Sequence, residues 1–66
     1  MEVTINHQPA TLAEDATLAQ LAQARQIGTK GVAIAVNDEI VHAADWAQTT
    51  IHPHDDIIII KAFCGG

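Results

Sequence analysis

Four consecutive isoleucines, at positions 57–60, constrain the fold of this chain more than any other feature. β-Branched side chains lose freedom in a helix and fit the pleated surface of a sheet, so the run predicts a β-strand. Successive strand residues point to opposite faces, and a run that is apolar on both faces is typical of a central strand. We expect Ile57 and Ile59 to face the core, and Ile58 and Ile60 to face away from it.

This strand leads into Phe63-Cys64-Gly65-Gly66 at the end of the sequence. The two glycines bring no side chain to a core, and ordering their backbone costs entropy. A tail of this kind can enter a narrow cleft that excludes side chains, which suits a carboxylate that must reach another protein's active site. From the tail alone, a frayed end that happens to be glycine is an equal alternative.

The preceding chain predicts a hairpin and a helix. Residues 1–6 and 10–12 alternate apolar with polar side chains, which favours two short strands joined by a turn at 6–9. Thr17 and Gln20 have the spacing of a capping box, so a helix should open there, and Gly28 is the expected stop signal.

Two more strands are expected over 32–36 and 40–41, joined by a turn at 37–39, and one or two helical turns over 43–48. We expect Trp46, within those turns, to cover one end of the core. The order β-β-α-β-β-β predicts an α+β fold with one helix across a mixed sheet of about five strands. The expected core consists of Val3, Ile5, Leu18, Leu21, Ile34, Val36, Ile57 and Ile59.

One helix covers only one face of such a sheet. The uncovered face should carry Ala33, Ala35, Ile58 and Ile60, and an exposed aliphatic patch of this kind usually marks a contact site. We expect this face, together with Phe63, to bind partner proteins. A chain of 66 residues has little room for a catalytic pocket of its own, so function on a partner is favoured over enzymatic activity.

The charge balance narrows the class of partner. Eight acids against three bases give a net charge of −5, which argues against nucleic acid and anionic membranes and permits a basic protein partner. The single Cys64 cannot form an internal disulfide, and no leader or membrane-spanning run is evident, so a cytoplasmic protein is expected.

Other candidate chemistry is weaker. His52 and His54 with Asp55 and Asp56 are interpreted as a solvated turn rather than a metal site, because no further ligand pair completes a tetrahedral set. Cys64 is either a small residue of the tail or a thiol that meets an acyl or sulfur intermediate, and we favour the first.

Together these residues resemble the ThiS family of thiamine-pathway sulfur carriers, which has the ubiquitin-like β-grasp fold. The resemblance rests on Ala35-Val36-Asn37, Ile40-Val41, Trp46, Asp55 with Ile57, and Gly65-Gly66, in that order. It implies a β-grasp domain over 1–63, a flexible tail over 64–66 and a monomer when free. His54 departs from the pattern, which usually has glycine there, and Cys64 is not part of it.

The resemblance also implies a mechanism. An E1-like enzyme, ThiF, adenylates the Gly66 carboxylate with ATP and magnesium, and a sulfur donor such as a cysteine desulfurase converts it to a thiocarboxylate. Thiazole synthase, ThiG, then takes the sulfur. Gly65 is the narrow segment of backbone before the reacting residue, and this chain itself is expected to bind no cofactor. A molybdopterin-synthase small subunit, a ubiquitin-like modifier and a pure interaction module remain alternatives, and the sequence does not identify the sulfur acceptor or donor.

Overall fold

The computed structural model describes residues 1–28 and 31–61, which form a mixed sheet packed on one α-helix. The elements are β1 (Glu2–Ile5), β2 (Gln8–Thr11), α1 (Leu18–Ala24), β3 (Val32–Val36), β4 (Glu39–Val41), a 3-10 helix (Ala43–Gln48) and β5 (Asp56–Lys61). The strands lie in the order β2-β1-β5-β3-β4. This confirms the expected ubiquitin-like β-grasp arrangement.

β5 is the central strand, as the isoleucine run predicts. It runs parallel to β1, with Ile57 beside Ile5, and antiparallel to β3, with Ile59 beside Ile34. The amide of Asn6 donates to the carbonyl of Ile57 over 2.9 Å. The last strand of the sequence therefore joins the two hairpins into one sheet.

Both hairpins turn on two residues with positive φ. Asn6 and His7 connect β1 to β2 with φ of 50° and 68°, and Asn37 and Asp38 connect β3 to β4 with φ of 51° and 71°. This left-handed pair is typical of the type I′ turn, whose twist matches that of the flanking strands. The turns are shorter than the sequence predicts, because the flanking residues at both ends already pair as strands.

The helix begins where the capping box predicts. The amide of Gln20 donates to the Thr17 hydroxyl over 3.2 Å, and the Gln20 side chain accepts from the Thr17 amide over 3.0 Å. Backbone hydrogen bonds also tie this end to the segment before β5, from Leu18 to Thr49 and from Ile51 to Ala16. The helix is therefore held at its start by both its own cap and a distant segment.

The helix ends earlier than predicted. Gln26, not Gly28, adopts the left-handed conformation after the last turn, with φ of 56°. Its amide donates to the Gln23 carbonyl, and the amide of Ile27 donates to the Ala22 carbonyl over 2.8 Å. This pair of bonds is the Schellman motif, which turns Ile27 back toward the core.

The core lies between α1 and one face of the sheet. Its buried members are Val3, Ile5, Leu18, Leu21, Ala22, Ile34, Trp46, Ile51 and Ile57. Val36 and Ile59, expected in the core, are partly buried against it. Trp46 is only 3% exposed and is one of the buried core residues, with its indole nitrogen donating to the Val41 carbonyl over 2.9 Å. Ile51, which the sequence reasoning did not select, is fully enclosed as well.

A polar junction joins the β3–β4 turn to the start of β5. The side-chain amide of Asn37 donates to the buried Asp55 carboxylate over 3.0 Å, and its oxygen accepts from the Asp56 amide over 2.9 Å. The other oxygen of Asp55 accepts from the His52 amide over 2.8 Å. Asn37, from the β3–β4 turn, and Asp55, from the segment before β5, thus hold the two segments together through side-chain hydrogen bonds.

His54 adopts a left-handed backbone conformation in the turn before β5. Its φ is 69°, it follows Pro53, and the amide of Asp55 donates to the His52 carbonyl over 3.2 Å. Proline followed by positive φ is the pattern of a type II turn. His54 therefore carries the strain of a conformation that glycine would adopt freely.

Replacing Leu21 with alanine should lower the free energy of unfolding by about 2–5 kcal/mol, because the side chain is 4% exposed and its removal leaves a cavity against the sheet. Chemical denaturation would measure the loss. Gln23→Ala, on the exposed side of α1, serves as a control that should change stability little. An unchanged midpoint for Leu21→Ala would show that the helix does not pack as described.

Replacing Asn37 with glycine should cost about 1–3 kcal/mol, because glycine tolerates the positive φ but loses both side-chain hydrogen bonds of the junction. Asp38→Gly is the matched control, since Asp38 shares the turn, the positive φ and the exposure of Asn37 but takes no part in the hydrogen bonds of the junction. It should be neutral or slightly stabilising. Equal unfolding midpoints for the two variants would mean that the Asn37 side chain contributes nothing.

Candidate functional site

The face of the sheet opposite α1 carries aliphatic side chains in two rows. Ala35 of β3 lies between Ile58 of β5 and Ile40 of β4, and Ala33 lies beside Ile60. We call these five residues the aliphatic face. The alternation of the strands places all of them away from the core, which Ile34, Ile57 and Ile59 occupy from the other side.

The aliphatic face is most exposed at two isoleucines. Ile40 is 56% exposed and Ile60 is 48% exposed, whereas Ile58 and Ala33 are half-buried and Ala35 is buried beneath its neighbours. The structure therefore places the predicted residues of the described region on one surface. Their role in binding partners stays a prediction.

Sequence reasoning missed Ile40. The length of the β3–β4 turn decides whether Ile40 joins the face. A two-residue turn through Asn37 and Asp38 pairs Val36 with Glu39, and this register places Ile40 opposite Ala35. A three-residue turn does not give that register. The pair Asn37-Asp38, both tolerant of positive φ, could have indicated it.

The predicted reacting residue, Gly66, lies outside the described residues, as do Phe63, Cys64 and Gly65. β5 ends at Lys61, so five residues follow it in the sequence. An extended chain of that length spans at most about 17 Å. Chain length alone therefore limits the distance between Gly66 and Lys61.

Acidic groups flank the aliphatic face on the side of β1. Asp56, at the start of β5, accepts a hydrogen bond from the Thr4 hydroxyl over 3.0 Å, and Glu2 lies on the same face of β1. An apolar patch with carboxylates at its border fits a partner that has an apolar patch bordered by cations.

The residues considered as metal ligands are used in other ways. The Asp55 carboxylate is engaged by Asn37 and by the His52 amide, and the Asp56 carboxylate by Thr4. The imidazole of His52 lies 4.0 Å from Asp55 and is largely exposed. Within residues 1–28 and 31–61, no group of three or more His, Cys, Asp or Glu side chains could hold a metal ion.

Neither helix in the described part of the chain has the length and apolar character needed to cross a membrane.

Comparison with known proteins agrees with this architecture. The chain is similar to the sulfur carrier protein ThiS of Escherichia coli (strain K12), with 29% identity over 66 residues and complete coverage of both chains. A crystal structure of the thiamine biosynthesis protein ThiS from Geobacter metallireducens aligns over the whole of both chains with a TM-score of 0.84 at 25% identity. An NMR solution structure of a thiamine biosynthesis protein from the same organism gives 0.81 at 25% identity, covering 100% of this chain and 88% of that one.

The model of the ThiS family matches residues 3–66. The match includes both hairpins, the helix, the aliphatic face and the two terminal glycines. The chain therefore belongs to the ThiS family.

Proposed function

We propose that this chain is a sulfur carrier of thiamine biosynthesis, which holds sulfur as a thiocarboxylate on Gly66. The observation that carries the proposal is a family match that extends to Gly66, five residues after Lys61 of a strand whose outer side carries part of the aliphatic face. The names of the relatives, a sulfur carrier protein and one thiamine biosynthesis protein whose structure has been solved twice, support this pathway over molybdopterin synthesis or protein modification.

Activation requires a partner that supplies ATP and magnesium. A carboxylate oxygen of Gly66 attacks the α-phosphorus of ATP, forming a mixed anhydride and releasing pyrophosphate. A sulfide-level donor then attacks the acyl carbon, AMP departs with the carboxylate oxygen, and a thiocarboxylate remains. We propose an E1-like enzyme of the ThiF type for the first step. Where a cysteine desulfurase supplies the sulfur as a persulfide, the persulfide displaces AMP to give an acyl disulfide, and a second thiol then reduces this bond, which releases the thiocarboxylate and forms a disulfide.

The contribution of this chain is positioning rather than catalysis. Gly65 and Gly66 leave the backbone thin enough to enter a closed site, and the rigid sheet holds the start of the tail near its target. Because only four residues lie between Lys61 of β5 and Gly66, a partner that binds the sheet close to β5 also limits where the carboxylate can lie.

The aliphatic face is the proposed docking surface for both partners. Ile40 and Ile60 expose enough apolar area to anchor an interface, and the carboxylates of Glu2 and Asp56 border it. The activating enzyme and a thiazole synthase of the ThiG type would bind this same surface in turn. Their complexes with the carrier are therefore mutually exclusive.

Changes in the tail should separate its chemistry from folding. Deleting Gly66 removes the reacting position, and Gly65→Val adds a branched side chain where the narrow segment of backbone enters the partner. Neither should gain the mass of sulfur replacing oxygen after incubation with the adenylating enzyme, ATP, magnesium and sulfide. Cys64→Ser is the control and should be modified like the parent chain. Intact-mass spectrometry measures all three.

Two results would contradict this assignment. Thiolation of the truncated chain at the rate of the parent would show that Gly66 is not the reacting residue. Loss of thiolation in Cys64→Ser alone would show that the sulfur passes through Cys64.

Ile60→Glu should leave the fold intact, since the side chain is 48% exposed, but should weaken binding to the activating enzyme and to the synthase roughly tenfold or more. The charge would be desolvated in the centre of the interface without a partner. Gln23→Glu adds the same charge on the exposed side of α1 and should bind normally. Calorimetric titration with each partner decides: unchanged affinities for Ile60→Glu would exclude the aliphatic face as the docking surface.

A further inference from the structure

A second surface lies on the helix side of the sheet, between residues of β5 and the chain that follows α1. It is a cleft of about 410 Å³, lined among the described residues by Asn6, Arg25, Ile27, Ile59 and Lys61. Two of the three Lys and Arg residues of the chain therefore line one cleft, in a protein of net charge −5. None of the five lining residues is acidic.

The alternation of β5 explains why Lys61 lies here. Ile57 and Ile59 point toward the helix, and Lys61 follows them at the same spacing. Unlike Ile57 and Ile59, Lys61 is exposed. Its ammonium group therefore stands at the rim of the cleft, on the face opposite to the aliphatic face.

Arg25 reaches the same cleft from the helix. It is the C-cap residue, where the unpaired carbonyls of a helix favour a cation. The Schellman motif turns the chain at Gln26 and brings Ile27 back against the core, so that Arg25 and Ile27 line the same cleft.

The floor of the cleft is held in place by a hydrogen bond across strands. The amide of Ile59 donates to the side-chain oxygen of Asn6 over 2.8 Å, which continues the β1–β5 pairing beyond the end of β1. Ile27 and Ile59 are partly buried against the core. The cleft is thus a preformed aliphatic floor with two cations at its rim.

We propose that this cleft receives an acidic segment of the enzyme that activates Gly66; this inference rests on the proposed function. An enzyme that encloses the tail must approach the chain beside Lys61, the last residue of β5. Covering the ammonium group removes its water, which is costly unless a carboxylate replaces it. Arg25 lines the same cleft, so its guanidinium group can form a second ion pair, either with that carboxylate or with another carboxylate of the same acidic segment.

The cleft does not fit a polyanion. Nucleic acid recognition needs an extended basic surface, and the net charge of −5 repels a long anionic chain. A short segment that carries one or two carboxylates beside apolar side chains matches both the two cations and the aliphatic floor.

Steady-state ATP–pyrophosphate exchange by the adenylating enzyme of the same organism tests the proposal, with the carrier as the varied substrate. The double variant Arg25→Gln/Lys61→Gln should raise KM for the carrier about tenfold with little change in kcat, because it loses docking contacts and not the reacting group. It should also reduce the dependence of KM on salt concentration. Arg25→Lys, which keeps the charge, should lose less than Arg25→Gln.

The matched control is Gln20→Glu/Gln23→Glu. It lowers the net charge by two, as the test variant does, but on exposed positions of α1, and glutamate at position 20 preserves the capping-box acceptor. Its KM should stay near that of the parent chain. Thermal melts of all variants should coincide within a few degrees, because both cations are exposed.

The outcomes are distinguishable. If the parent chain is adenylated and the double variant has the KM of the matched control, the acidic-segment proposal is overturned while the sulfur-carrier function stands. If the parent chain is not adenylated at all, the proposed function fails, and this proposal fails with it.

Discussion

The pairing of β5 with both β1 and β3 is the constraint on which the remaining structure depends. Each hairpin alone has an edge strand with unpaired backbone groups, and neither can enclose a core with one short helix. β5 enters between them, parallel to one and antiparallel to the other. Because it is the last strand in the sequence, the residues that complete the core directly precede the tail that carries the proposed chemistry.

Side chains of β5 point alternately to the two faces of the sheet, so alternate residues serve the stability of the core and the proposed binding of partners. Ile57 and Ile59 complete the core, Ile58 and Ile60 form the aliphatic face, and Lys61 continues the inner row beyond the helix end. A shift of register by one residue would exchange these roles. Register therefore matters for function as much as for folding, and the Asn6 side chain that accepts from Ile59 helps to hold it.

Several turns use residues other than glycine in left-handed conformations. In the described ranges these are Asn6, His7, Asp15, Gln26, Asn37, Asp38 and His54. Four of the seven are asparagine or aspartate, which tolerate positive φ best among non-glycine residues. Asn37 adds a second function, since its side chain connects the β3–β4 turn to Asp55 and Asp56. The strain at this turn is thus offset by hydrogen bonds that glycine cannot form.

The sequence by itself determined the element types, the capped start of α1, the central position of β5 and the family, because these depend on local periodicity, side-chain branching and short motifs. Only the tertiary structure decided which residues complete the core, the helix end and the two surfaces. Ile40 joined the aliphatic face through a two-residue turn, Ile51 entered the core through its bond to the start of α1, and Gln26 rather than Gly28 ended the helix. Arg25 and Lys61 are far apart in sequence, and they share a cleft because α1 packs across the inner face of β5. These contacts between residues far apart in sequence depend on strand register and on packing between distant segments, which no local sequence pattern encodes.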